Sequence, residues 1–164
     1  MYAQSVPFLI KNIESTTKFL KKAEAAIDAR KMDKNVVLGW RTFPDMLPLL
    51  RQITLISDHS KGSAARLAGI VPPSMPDEEK TFEDLYARLA KTVAFLKSLD
   101  PKSFEGADKR DITIKQGGKD VTMNGLDYFN GVALPNFYFH MTTAYNILRG
   151  IGIELGKADF MGRG

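Results

Sequence analysis

Two histidines, His59 and His140, and no cysteine bound the chemistry open to this chain of 164 residues. Without a thiol, disulfides, thiolate zinc sites, iron–sulfur clusters and cysteine nucleophiles are excluded. Any imidazole chemistry runs through His59, His140 or both. Asn136 precedes His140 by four residues, so on a helix the two side chains share one face. That is the spacing by which one helix offers two ligands to a single ion. A His from a facing helix would complete three ligands and leave positions open for water or substrate. The same residues admit two other arrangements. One is a metal-free polar pocket that takes a small molecule by hydrogen bonds. The other is a structural network, with Asn136 as donor and acceptor tying two neutral imidazoles together in the core.

Further candidates surround this trio. Asp45, set among Pro44, Met46 and Pro48, is a pocket candidate as a fourth ligand or general base; a helix cap or an ion pair with Arg41 is the simpler role. Tyr138 and Tyr145 lie on the segment that carries His140 and are pocket candidates through their phenols, although Phe137, Tyr138 and Phe139 in series also read as a wide buried surface. Asp58 adjoins His59, but adjacent helical residues point about 100° apart, so it does not join the set. Ser57, Ser60 and Ser63 lack a nucleophile elbow, which excludes a serine triad. Gly117-Gly118 lacks the helix and the Lys-Ser/Thr pair of a phosphate loop.

The net charge of +4 comes from interspersed signs. Lys18, Lys21, Lys22, Arg30, Lys31 and Lys34 alternate with Glu14, Glu24, Asp28 and Asp33, the pattern of a solvated helix face rather than a nucleic-acid stripe. No run approaches the ~20 apolar residues of a membrane span. Met1 to Ile10 lacks the basic start and long apolar core of a signal peptide. The expectation is a cytoplasmic protein whose partner is a small molecule, with no nucleic acid and no membrane.

Four helices must position these residues. Val6 to Arg30 repeats apolar residues at spacings of three and four, with Pro7 in its first turn. Asn35 to Leu38 holds one further turn in a connection. Pro44 to Leu67 forms the second helix and carries His59, with Gly69 as its stop. Ile70 to Pro76 contains three prolines and reads as an extended loop. The third helix starts at Asp77 or at Thr81, where Thr81 to Asp84 matches a capping box, and runs to about Leu99. Alternation over Asp111 to Met123 around Gly117-Gly118 predicts a β-hairpin. The fourth helix, Asn124 to Arg149, carries Asn136 and His140 and is kinked or split near Pro135, whose ring would meet the Gly131 carbonyl. Gly150 to Gly164 is a tail whose Ile151, Ile153, Leu155, Phe160 and Met161 pack on something. The expected fold is all-α: a four-helix bundle with a small β-hairpin between the third and fourth helices, as one domain over residues 1–164 with the tail 150–164 packed on it. The apolar tail further predicts a homodimer.

The stretches Arg41 to Leu49 (RTFPDMLPL), Asp58 to Gly69 (DHSKGSAARLAG), Pro135 to Arg149 (PNFYFHMTTAYNILR) and Gly156 to Gly162 (GKADFMG) resemble the DinB/YfiT-like helical bundles. Within them they are similar to a branch known only as a domain of unknown function. The resemblance covers essentially the whole chain. It implies a DinB-like four-helix bundle with one His from the second helix and a His-x-x-x-His pair from the fourth. Many members hold a divalent metal there, commonly Zn or Ni, and some are transferases or isomerases that use small thiols. Carried over, His59 matches the second-helix ligand and His140 the last ligand. Asn136 stands at the middle position, where an amide oxygen is a poor ligand for such a metal. Two functions follow. One is a metal-dependent small-molecule enzyme, of hydrolase or thiol-transferase type, with a degenerate His59/Asn136/His140 site. The other is a non-catalytic dimeric bundle whose polar cluster orders the core or takes a small ligand.

Overall fold

Apolar residues at three- and four-residue spacing bury one face of the first helix, α1 (Tyr2–Ala29), through Val6, Leu9, Ile13, Leu20 and Ile27. In the computed structural model, which describes residues 1–164, α1 starts four residues ahead of the expected Val6. The extra turn is held by Ser5, whose hydroxyl donates to the Met1 carbonyl at 2.9 Å, and by Tyr2, which meets Phe104 edge-on at 5.3 Å. Pro7 therefore lies inside the helix rather than at its first position. A short α2 (Lys34–Leu38) follows, capped by the Asp33 carboxylate, which accepts from the Asn35 N–H.

The helix that carries His59 is α3 (Leu49–Ala68), five residues shorter at its start than the expected Pro44. Pro48 takes the N-cap position in extended backbone, because its ring excludes a helical turn through the carbonyl four residues before it. Gly69 ends α3 at φ +73°, a left-handed conformation that glycine adopts without a Cβ penalty. The proline-rich segment then returns to α4 (Phe82–Lys97), which opens with the expected Thr81–Asp84 capping box.

Arg88 on α4 clamps that segment down. Its guanidinium, 2% exposed, donates to the Pro76 carbonyl at 3.1 Å, to Glu79 at 2.8 Å and to Asp58 at 2.7 Å. Breaking a buried charge network of this kind leaves uncompensated charge, so the clamp holds the loop to both α3 and α4.

A 3₁₀ turn (Pro101–Phe104) leads to β1 (Asp111–Gln116) and β2 (Lys119–Asn124), an antiparallel pair with Ile112 opposite Met123 and Ile114 opposite Val121. Gly117 and Gly118, at φ +58° and +80°, supply the turn. Asn124 caps α5 (Gly125–Tyr128) by accepting from the Asp127 N–H at 2.9 Å. The chain then widens into a π turn, Phe129–Ala133, before α6 (Leu134–Gly150). The expected break at Pro135 is this π turn, which ends two residues before the proline.

The molecule is mostly helical, with α3 packed against α6 and α4, and α1 against α4. Beside the four long helices stand the short α2, where one turn was expected, α5, which begins the expected fourth helix, and α7 (Lys157–Phe160) in the tail. One apolar core runs from Val6 to Leu155. The tail joins it: Ile153 and Leu155 are buried, the Ser15 hydroxyl donates to the Phe160 carbonyl at 2.8 Å, and Lys22 pairs with Asp159 at 2.8 Å. Ile151 and Phe160 are half-buried and Met161 is exposed, so the tail packs part of its apolar surface inside the chain. No helix is long and apolar enough to cross a membrane.

Candidate functional site

The two histidines meet where α3 packs on α6. Their rings stack with centroids 5.2 Å apart and planes inclined by 16°. His140, 8% exposed, is held from its other side by a residue that the sequence reading missed. The Gln52 amide nitrogen donates to the Leu47 carbonyl at 2.9 Å, which turns the Gln52 oxygen toward His140 Nδ1 at 2.8 Å. Nδ1 therefore carries the proton and donates it to Gln52, leaving the lone pair on Nε2. Gln52 is seven residues before His59, two turns along the same helix face, and almost fully buried among apolar neighbours. A polar residue repeating the His59 register inside an apolar stripe was the available signal.

Both imidazoles are neutral at pH 7. Burial pushes His140 down to about 4, with the neighbouring His59 adding to the shift. Burial also lowers His59; the Asp58 carboxylate opposes that shift and the Arg66 guanidinium adds to it. No protein group bonds His140 Nε2 or either nitrogen of His59. The one buried side-chain polar atom without a partner in the chain is Glu79 Oε2, so these nitrogens are open to solvent or a ligand.

The other predicted residues are placed differently. Asn136 lies one turn before His140, but its amide nitrogen donates to the Val132 carbonyl at 2.7 Å and does not bridge the imidazoles. Asp58 turns to Arg88 and Lys61, away from the pair. Asp45 is exposed in the loop before α3, where Pro48 is the N-cap, and pairs neither with Arg41 nor with any other cation. Tyr138 packs edge-on against Phe8 at 5.6 Å, and the Tyr145 hydroxyl donates to the Leu155 carbonyl at 3.2 Å, so it fastens the tail.

A resident zinc or nickel ion does not fit this donor set. No three His, Asp or Glu side chains are placed to hold a metal ion, and the third member of the site is an amide, whose oxygen is a poor ligand for such a metal. Two cavities lie elsewhere. One of about 560 Å³ sits by Arg88 and Lys91, and another of about 550 Å³ by Arg30 and Gly152. Phe139 meets His140 edge-on at 5.2 Å, and the loop that supplies the Leu47 carbonyl exposes Trp40, Phe43 and Leu47.

No functionally curated protein matches the sequence. A DinB family member protein from Shewanella denitrificans, solved at 1.83 Å, superposes with a TM-score of 0.90 at 34% identity, covering 98% of this chain and 91% of that one. The family model described as "Domain of unknown function (DUF1993)" matches residues 1–161. With that match and this neighbour, the chain belongs to DUF1993, a DinB-like family.

Proposed function

We propose that this protein is a small-molecule-binding DinB-like bundle that works without a resident metal, its four long helices holding a neutral imidazole pair as the recognition element. The observation that carries the reading is the His140–Gln52 bond of 2.8 Å, which fixes the tautomer and presents Nε2 as an acceptor. Magnitude separates binding from proton transfer. With its pKa near 4, His140 lies about three units below neutrality, so protonating it at pH 7 costs about 4 kcal/mol. A general base is tuned near the working pH. His140 is accordingly a hydrogen-bond acceptor for an O–H or N–H of the ligand, and Phe139 provides apolar contact beside it.

Carbethoxylation by diethyl pyrocarbonate, which needs a neutral and accessible imidazole nitrogen, tests this. Mass spectrometry of the His140 peptide should show similar rates at pH 5 and pH 7. An ordinary His of pKa about 6.5 would slow about 25-fold over that interval. An unreactive His140, or the ordinary decline, would overturn the reading.

A second reading, a homodimer, draws on Trp40, Phe43 and Phe139, which are 49%, 63% and 55% exposed. Light scattering at high micromolar concentration decides it. A dimer that Trp40→Ser with Phe43→Ser dissociates would support it, and a wild-type monomer would remove it.

A further inference from the structure

Toward its C-terminal end, the α3 face that carries Gln52 and His59 reaches Arg66, which has no carboxylate partner in the chain. Helical side chains lean toward the N-terminus, so Arg66 folds back over the turn before it. Gly62 makes room: a Cβ there would stand 2.7 Å from Arg66 Nη1. Gly62 is one turn after His59, so the guanidinium lies about one turn, roughly 5 Å, from the imidazole along the helix. From the segment before α6, Tyr128 meets it. Arg66 Nη1 donates to the Tyr128 hydroxyl oxygen at 3.3 Å, a long bond, and the Tyr128 O–H has no acceptor. Arg66 is half-buried and Tyr128 is 4% exposed.

This end of the site therefore collects donors without acceptors: the remaining guanidinium N–H groups and the Tyr128 O–H. Hydrogen-bonding groups gathered this way call for an oxyanion. One formal positive charge beside two neutral imidazoles matches a single negative charge, and the planar fork of arginine matches a carboxylate. We propose that Arg66 and Tyr128 bind the carboxylate of a short organic acid whose hydroxyl or N–H, about one helical turn away, is accepted by the imidazole pair. This inference rests on the small-molecule reading above and names its ligand class.

The test uses two probe acids, 3-hydroxybutyrate and butyrate, with inorganic phosphate and chloride as controls at constant ionic strength. The readouts are the NMR signals of the Arg66 guanidinium and the His59 imidazole in the full chain. The expected result is a saturable shift with both acids in the millimolar range, several-fold tighter for the hydroxy acid, and no saturation with chloride. Arg66→Gln abolishes it and Tyr128→Phe weakens it at least threefold. Gly62→Ala is the decisive variant, because alanine favours the helix while its Cβ displaces the guanidinium. Binding should fall at least threefold while the melting temperature holds or rises. Absence of saturation to 100 mM, an undiminished shift in Arg66→Gln, or tighter binding of phosphate than of either acid would overturn the proposal. If His140 keeps its neutral Nδ1–H form in the ligand-free spectrum while the acids fail to bind, the carboxylate inference alone falls.

Discussion

His140 on α6 and Gln52 on α3 are joined by one hydrogen bond of 2.8 Å, 88 residues apart in sequence. The bond does two things at once. It fastens the helix pair that forms the site, and it decides which imidazole nitrogen faces outward. The Leu47 carbonyl, which accepts from Gln52, makes the loop before α3 part of the same arrangement. Replacing Gln52 with Leu removes both bonds while keeping the side-chain bulk. The donor at Nδ1 and the Leu47 carbonyl then lose their partner, and chemical denaturation should report a loss of about 1–3 kcal/mol. An unchanged midpoint would mean that the bond contributes nothing to the helix pairing.

Acid should weaken the protein through the same residue. The folded-state pKa of His140, about 4, lies below its unfolded value of about 6.5, so between those limits the unfolded chain binds more protons. The stability is complete above pH 6.5 and is lost as pH falls toward 4. The full shift corresponds to at most about 3 kcal/mol, and to about 1–2 kcal/mol once solvent screening at the exposed edge of the ring is allowed for. His59, which burial also lowers, acts in the same window in both proteins compared below, whereas Asp84 and Asp159, whose carboxyls are held below the ordinary range by hydrogen bonds from Lys80 and Thr81 and from Lys22 and Gly156, act at lower pH. Denaturation midpoints of wild type and His140→Asn between pH 7.5 and 4.5 should therefore diverge in slope, with the wild type losing more. Parallel curves would contradict the buried neutral imidazole.

Zinc separates the donor set present from one completed by a third imidazole. Untagged protein dialysed against tens of micromolar zinc should take up less than a stoichiometric amount, because two imidazoles and a weakly ligating amide oxygen make an incomplete site. Asn136→His, one turn before His140, should raise uptake to near one ion per chain. Stoichiometric zinc in the wild type, lost in His59→Ala, would restore the metal-dependent reading.

The sequence made the elements legible and much of the site illegible, for one physical reason. The apolar stripes, the Thr81–Asp84 box, the Asn124 cap, the Gly69 stop and the Gly117-Gly118 turn are set by bonds spanning a few residues, and each stands where the local pattern put it. That His59 and His140 share a site was readable from their helices and from the family resemblance. Gln52 and Arg66 were not, since a glutamine in a stripe or an arginine near a helix end becomes informative only when the partner helix is in place. The surroundings of Asp45 and Tyr145 were illegible for the same cause. The start of α3 was decided by Pro48 rather than by local chemistry at Asp45, and the tail that Tyr145 fastens lies ten residues further along the chain.

The central claim is that His140 is a neutral acceptor pointing Nε2 at a ligand, and a chain with two histidines permits a direct reading. With ¹⁵N-labelled histidine, the imidazole nitrogens should give one ring locked as the Nδ1–H tautomer, with Nε2 bare and unchanged from pH 7.5 to pH 5. In Gln52→Leu that ring should lose its fixed tautomer. A His140 ring that carries its proton on Nε2, averages between tautomers in the wild type, or titrates near pH 6.5 would contradict the account.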